Sequence, residues 1–187
     1  MRSELAKAVK KQFEARLKRE LPQFRPVTSA ETPAGCRLFE WQVASELSTF
    51  LLLVISRDDR FTVEGAWSSD GQFPNRLLPG YPINFPAENV RRDEPKDGRF
   101  RFRLSRLWQP RGDPWWELVP QPSMAELQAR LDRLAQGIID DPPVEEALQK
   151  VEPLVDDAVR KVALHAVPYF LEIARSLGFN PGDLHGS

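Results

Sequence analysis

The sequence predicts an α+β domain made of an N-terminal helix, a four-stranded antiparallel meander sheet with a Pro-rich ordered loop, and C-terminal helices. Three observations predict it. Apolar residues recur every four positions near the N-terminus, four segments between residues 37 and 108 have strand patterns, and helical spacing returns after residue 123. A chain of 187 residues suits a single domain, 1–187, with a helix at 3–21, a sheet at 37–108 that includes a loop at 68–98, and a helical tail at 123–178.

The N-terminal helix is amphipathic, and Pro22 ends it. Residues 1–25 carry eight Lys or Arg against three Glu, whereas residues 121–187 carry six against eleven acidic residues. We therefore expect the basic start of the chain to face its acidic end. The net charge of −1 is not the positive balance that is usual for a nucleic-acid-binding domain. The apolar face consists of Leu5, Val9, Phe13, Leu17 and Leu21.

Three strands are predicted before the loop, at about 37–44, 48–56 and 60–67. The second is apolar on both faces, which is typical of a strand inside a sheet with both faces covered. The polar run at 57–60 predicts a short hairpin turn between the second and third strands. The segment 68–98 is rich in Pro and Gly but also in apolar residues, so we expect an ordered loop laid over the sheet.

The fourth strand has a row of arginines. Arg99, Arg101 and Arg103 share one face, about 7 Å apart, while Phe100 and Phe102 share the other with Leu104. One interpretation is a binding site for an anion or a single-stranded nucleic acid, because guanidiniums bind phosphate and bases stack on a ring such as Trp108. The other is a solvated strand face. In that case the cations pair with neighbours such as Glu40, Glu64 or Glu117.

The five tryptophans all lie between residues 41 and 116. Trp41, Trp67 and Trp108 fall in predicted strands in phase with apolar neighbours, which favours core packing. Trp115 and Trp116 are adjacent, so their side chains point in opposite directions and one of them can be exposed as a contact site. The candidate binding residues are therefore Arg99, Arg101, Arg103, Trp108, Trp115 and Trp116.

The helical tail begins at Ser123, which has capping-box spacing to Glu126. A second helix starts after 142–143, where two prolines follow two aspartates, and Pro153 interrupts or restarts it. The last helix is bent near Pro168 and ends at Gly178. The apolar stripe of the first of these helices consists of Met124, Leu127, Leu131, Leu134 and Ile138.

Other patterns exclude more than they indicate. Cys36 is the only cysteine, so an internal disulfide is excluded and a reducing cytoplasm is expected. The longest apolar run, 50–55, is too short for a membrane helix, and the N-terminus shows no signal peptide. His165 and His185 are the only histidines, and the acidic residues of the tail fit helix capping, so we expect no metal site and no cofactor.

The order of elements up to residue 105 resembles that of other proteins. An N-terminal amphipathic helix, the segment 38–41, the apolar strand 51–54 and the segment 61–65 together resemble some small bacterial α+β proteins classed as domains of unknown function. The resemblance covers residues 3–105 and rests on pattern without a diagnostic motif. It implies the same order of elements and no catalytic residues.

The function that the sequence favours is a non-catalytic, cytoplasmic protein-interaction module, in one form an inhibitor or immunity-type partner of another bacterial protein. The basis is a charged surface, a Pro- and aromatic-rich segment, and no catalytic motif. The first alternative is an anion or single-stranded nucleic-acid binder through Arg99, Arg101 and Arg103. The second is an enzyme whose site is assembled from scattered residues.

Overall fold

The computed structural model describes residues 3–74, 99–109, 114–119, 123–137 and 141–179, and it confirms the α+β class. An N-terminal helix is followed by an antiparallel sheet and then by helices. The elements are α1 (Ser3–Glu20), β1 (Arg25–Val27), β2 (Arg37–Ala44), β3 (Leu47–Ile55), β4 (Arg60–Ser68), β5 (Arg99–Arg103), β6 (Trp116–Glu117), α2 (Met124–Ala135), α3 (Val144–Lys161) and α4 (Val167–Ser176). The sheet order is β1-β2-β3-β4-β5, and β6 also pairs with β4.

The basic N-terminal helix does face the acidic C-terminal part, as predicted from charge. The Arg16 guanidinium forms ion pairs with Glu152 at 3.0 Å and with Asp156 at 2.8 Å, both on α3. Asp141 accepts hydrogen bonds from the Ser3 hydroxyl at 2.9 Å and from a backbone N–H in the first turn of α1. Such a carboxylate at a helix N-terminus accepts a hydrogen bond from an otherwise unpaired N–H and interacts favourably with the helix dipole.

The sheet has two apolar faces, which explains why β3 is apolar on both sides. One face packs against α1, α3 and α4 in the main core, where the α1 stripe from Leu5 to Leu17 is buried. The second face carries a smaller cluster, in which Phe73 covers Phe50. That smaller cluster consists of Leu38, Phe50, Leu52, Ala66 and Phe73.

The sheet has two more strands than predicted, β1 and β6. They were missed because they are only three and two residues long. Strands this short lack a readable alternation, and β1 contains Pro26. The prediction that Trp108 lies in a strand is also wrong. The strand ends at Arg103, and one turn of 3₁₀ helix, Leu104–Leu107, follows it. The amides of Trp108 and Gln109 close that turn on the Ser105 carbonyl, at 3.2 and 2.8 Å.

The helical tail differs from its prediction at Pro153 and has a local irregularity next to Pro168. Pro153 lies within α3 without interrupting it. Near Pro168 the helix widens into a π-helical segment, Val162–Ala166, before α4 begins. Because proline has no N–H and its ring clashes with the carbonyl four residues earlier, a wider turn is the local adjustment that lets the helix continue. Of the loop predicted at 68–98, residues 75–98 lie outside the described residues.

Candidate functional site

The arginine row of β5 lies beside a buried carboxylate. In the β4–β5 register, Arg103 is opposite Glu64 and Arg101 is two residues away on the same face. Glu64 is only 3% exposed. Its Oε2 accepts a hydrogen bond from Nε of Arg101 at 2.6 Å, and its Oε1 accepts one from Nη1 of Arg103 at 2.5 Å. The charge of Glu64 is therefore shared between two guanidiniums.

The other two proposed partners of the arginine row bind elsewhere or lie in solvent. The carboxylate of Glu40 accepts a hydrogen bond from the Ser48 hydroxyl at 2.6 Å. Glu117 is exposed on β6. The backbone of Arg99 pairs with Ser68 at the start of β5. Glu64, one of the three carboxylates that the sequence offered, forms ion pairs with Arg101 and Arg103.

Aromatic rings lie at both ends of the arginine pair. The Trp115 ring is partly buried, with the Arg60 guanidinium carbon 4.8 Å and the Arg103 guanidinium carbon 5.0 Å from its centroid. At the other end, the Arg101 guanidinium carbon is 5.3 Å from the centroid of Phe73. These distances are within the range of cation–π attraction. Trp115, which was predicted as a contact residue, thus packs against the arginine row.

Trp116 points the opposite way, into the main core, as adjacent residues of an extended strand must. Its ring stacks on Phe61 with centroids 5.3 Å apart, and its indole N–H donates to Oδ2 of Asp157 at 2.9 Å. Asp157 also forms an ion pair with Lys161 at 2.8 Å. The Lys161 ammonium lies 5.4 Å from the ring centroid of Trp108 and 5.5 Å from that of Trp116. Trp108, Trp116, Asp157 and Lys161 line a cleft of about 170 Å³.

The polar groups around this cleft are paired with one another. Partial burial on its own would raise the pKa of Asp157, but hydrogen bonds from Lys161, Trp116 and Arg160 outweigh it and lower that pKa to about 2. Partial burial and then the charge of Lys161 lower the pKa of His165, whose ring lies 5.3 Å from Trp108. These contacts among Trp116, Asp157 and Lys161 connect β6 to α3 and stabilise their packing.

Helix α2 presents a different kind of surface, because the two stripe residues whose side chains are described lie in solvent, whereas Ile138 lies outside the described residues. Met124 is 81% exposed and Leu131 is 58% exposed. The helix is nevertheless well capped. The backbone N–H of Ser123 donates to the Glu126 carboxylate at 2.7 Å, and the Glu126 N–H donates to the Ser123 hydroxyl at 3.3 Å, which completes the predicted capping box.

The other long helices bury their stripes. In α1 the residues at stripe positions, such as Val9 and Phe13, are fully buried, and in α3 so are Val151 and Val155. By contrast, every α2 residue whose side chain is described is exposed. The α2 surface, defined here by Met124 and Leu131, is therefore an amphipathic helix face without an apolar covering from the described part of its own chain.

Sequence reasoning found most of these residues but not their grouping. Trp108, Trp115 and Trp116 do line one cleft, and Trp115 also joins the arginine row. The sequence missed Asp157 and Lys161, which close this cluster from more than forty residues away. The α2 stripe was visible in the sequence, but nothing in its pattern separates a stripe that packs on the core from one that is left exposed.

Comparison with protein-family models, with curated proteins and with solved structures finds no match for this chain. In the described ranges, no three His, Cys, Asp or Glu side chains lie close enough together to hold a metal ion. Within the same ranges, no helix is both long enough and apolar enough to cross a membrane.

Proposed function

We propose that this protein is a non-catalytic interaction module that binds another protein through the α2 surface. The observation that carries the proposal is the exposure of Met124 and Leu131 on a capped helix, in a chain whose other long helices bury their stripes. Large apolar side chains in solvent on one face of a helix are unfavourable, and such surfaces commonly mark interaction sites. An amphipathic helix that places residues at i, i+3, i+4 and i+7 into an apolar groove is a recurring mode of protein recognition.

The partner that fits best is a protein with an apolar groove that encloses the helix. Helix α2 has 12 residues, so it is about 18 Å long. One line of contact between two such helices covers far less than the roughly 800 Å² per partner of a stable interface. A groove that surrounds three sides of the helix covers more. The two acidic and two basic residues of α2 balance, so apolar contact and not net charge would supply the affinity.

The experiment that tests this proposal is site-specific photo-crosslinking in the native host. A photoreactive phenylalanine analogue is placed at Leu131, on the α2 surface, or at Ala129, which is exposed on the opposite side of the helix. We expect a crosslink to a second protein from position 131 and none from position 129. The crosslinked protein is then purified, and its affinity for the wild-type chain is measured by calorimetry.

The affinity measurement has a matched control. Leu131→Glu should weaken binding of the purified partner by about thirty-fold or more, because a charge would enter an apolar groove. Ala129→Glu adds the same charge on the other side and should change the affinity less than about threefold. Crosslinks of equal yield from both positions, a crosslink from position 131 to a second copy of this chain, or equal affinities of the two variants would contradict the proposal.

The alternative function, binding of an anion or single-stranded nucleic acid through Arg99, Arg101 and Arg103, receives less support. Glu64 already supplies a carboxylate to two of these arginines. That function predicts oligonucleotide binding that weakens steeply with salt and is abolished when all three arginines are replaced with Gln.

A further inference from the structure

A cleft on the second face of the sheet takes no part in the proposed function. It has a volume of about 280 Å³ and lies between the segment after β1 and the segment after β4. Its apolar lining includes Leu38, Phe50 and Phe73, all buried, and the two phenylalanine rings meet edge to face with centroids 5.5 Å apart. This volume is just below the range occupied by drug-sized ligands, so the cleft suits a smaller molecule.

The half-buried carboxylate of Glu40 lines the same cleft. Its Oε1 accepts the hydrogen bond from Ser48, and no Lys or Arg of the described residues forms an ion pair with it. Arg25 is directly opposite Glu40 in the β1–β2 register but stays exposed and forms no ion pair with it. The exposed Glu31 also lines the cleft but already takes part in another interaction, so Glu40 is the carboxylate that the cleft offers to a ligand. A partly desolvated carboxylate is stabilised when a cation approaches it.

We propose that this cleft binds a small organic cation, an ammonium or guanidinium group on a short apolar body. The cation would receive a charge-assisted hydrogen bond from Glu40, and the apolar body would lie against Leu38 and the two rings. Phenylalanine faces attract cations, and Phe50 and Phe73 both line this cleft. The site is independent of the α2 surface.

The test is a titration of the purified chain with butylguanidine and with butylamine, monitored by two-dimensional ¹H–¹⁵N NMR. We expect saturable shifts at the amides of Glu40, Phe50 and Phe73. The neutral isostere 1-butanol should produce no saturable shift at the same concentrations. Equal shifts with 1-butanol, or no saturable shift with either cation, would overturn the proposal.

Three variants identify the groups responsible. Glu40→Gln should weaken binding by about tenfold or more, because a charge-assisted hydrogen bond is lost. Glu46→Gln removes the same charge from the exposed β2–β3 turn and should leave the affinity unchanged. Arg25→Gln should leave the affinity unchanged or raise it. If butylguanidine binds the Arg25→Gln variant but not the wild-type chain, Arg25 itself satisfies Glu40 in solution and the proposal is wrong.

Discussion

The two ion pairs of Glu64 allow a quantitative prediction. Glu64→Gln keeps the shape of the side chain but removes the charge that Arg101 and Arg103 share. Removing one partner of a buried ion pair costs about 3–5 kcal/mol. The side chains of Glu64 and Arg101 are 3% and 8% exposed, whereas that of Arg103 is 21% exposed, and a Gln oxygen still accepts one hydrogen bond. We therefore expect the lower limit, a loss of about 3 kcal/mol in the free energy of unfolding.

The free energy of unfolding is measured by urea unfolding monitored by tryptophan fluorescence. The slope of the transition is compared between variants. For a chain of this length, a loss of about 3 kcal/mol lowers the Tm by roughly 6–12 °C. Glu46→Gln removes the same charge from an exposed turn and should change the stability by no more than about 0.5 kcal/mol. If Glu64→Gln is as stable as Glu46→Gln, the carboxylate does not hold the arginine row and this reasoning fails.

Two further predictions concern stability. Asp157 has a pKa of about 2 in the folded protein, below its ordinary value of 3.8, so its stabilisation is present above about pH 4 and is lost as the pH falls towards 2. In acid unfolding curves, the free energy of unfolding should fall by about 2 kcal/mol over this range in the wild-type chain and should not show this fall in Asp157→Asn. If Asp157→Asn is as sensitive to acid as the wild-type chain, the prediction is wrong. In Gly65→Ala the new Cβ would lie 2.7 Å from Cζ of Phe102, so urea unfolding should show a loss of about 1–3 kcal/mol; unchanged stability would mean that the ring moves away at no cost.

Sequence pattern predicted the long elements well, because each has a signal that extends over many residues. The α1 stripe and the strand patterns of β2 to β4 each extend over at least eight residues, and the structure contains all of them. The two short strands had no such signal. β6 exists because the Leu118 amide donates to the Asp59 carbonyl at 2.9 Å and Trp116 stacks on Phe61, contacts that depend on tertiary structure.

The candidate site shows the same limit. Alternation put Arg101 and Arg103 on one face, and cross-strand pairing rules offered Glu64 as one of three possible partners. Only the β4–β5 register selects Glu64, because it brings that carboxylate opposite Arg103. The helix that carries the α2 stripe was predicted correctly, but whether a stripe is covered depends on where the rest of the chain packs.

The central claim is that the described part of the chain leaves the α2 surface uncovered, and native-state hydrogen exchange tests it directly. An isolated 12-residue helix is marginal in water, even with a capping box. We therefore expect the α2 amides to exchange at least about a hundredfold faster than those of α3, whose stripe is buried in the main core. Protection of α2 equal to that of α3 would contradict the account, because it would mean that the chain itself covers Met124 and Leu131.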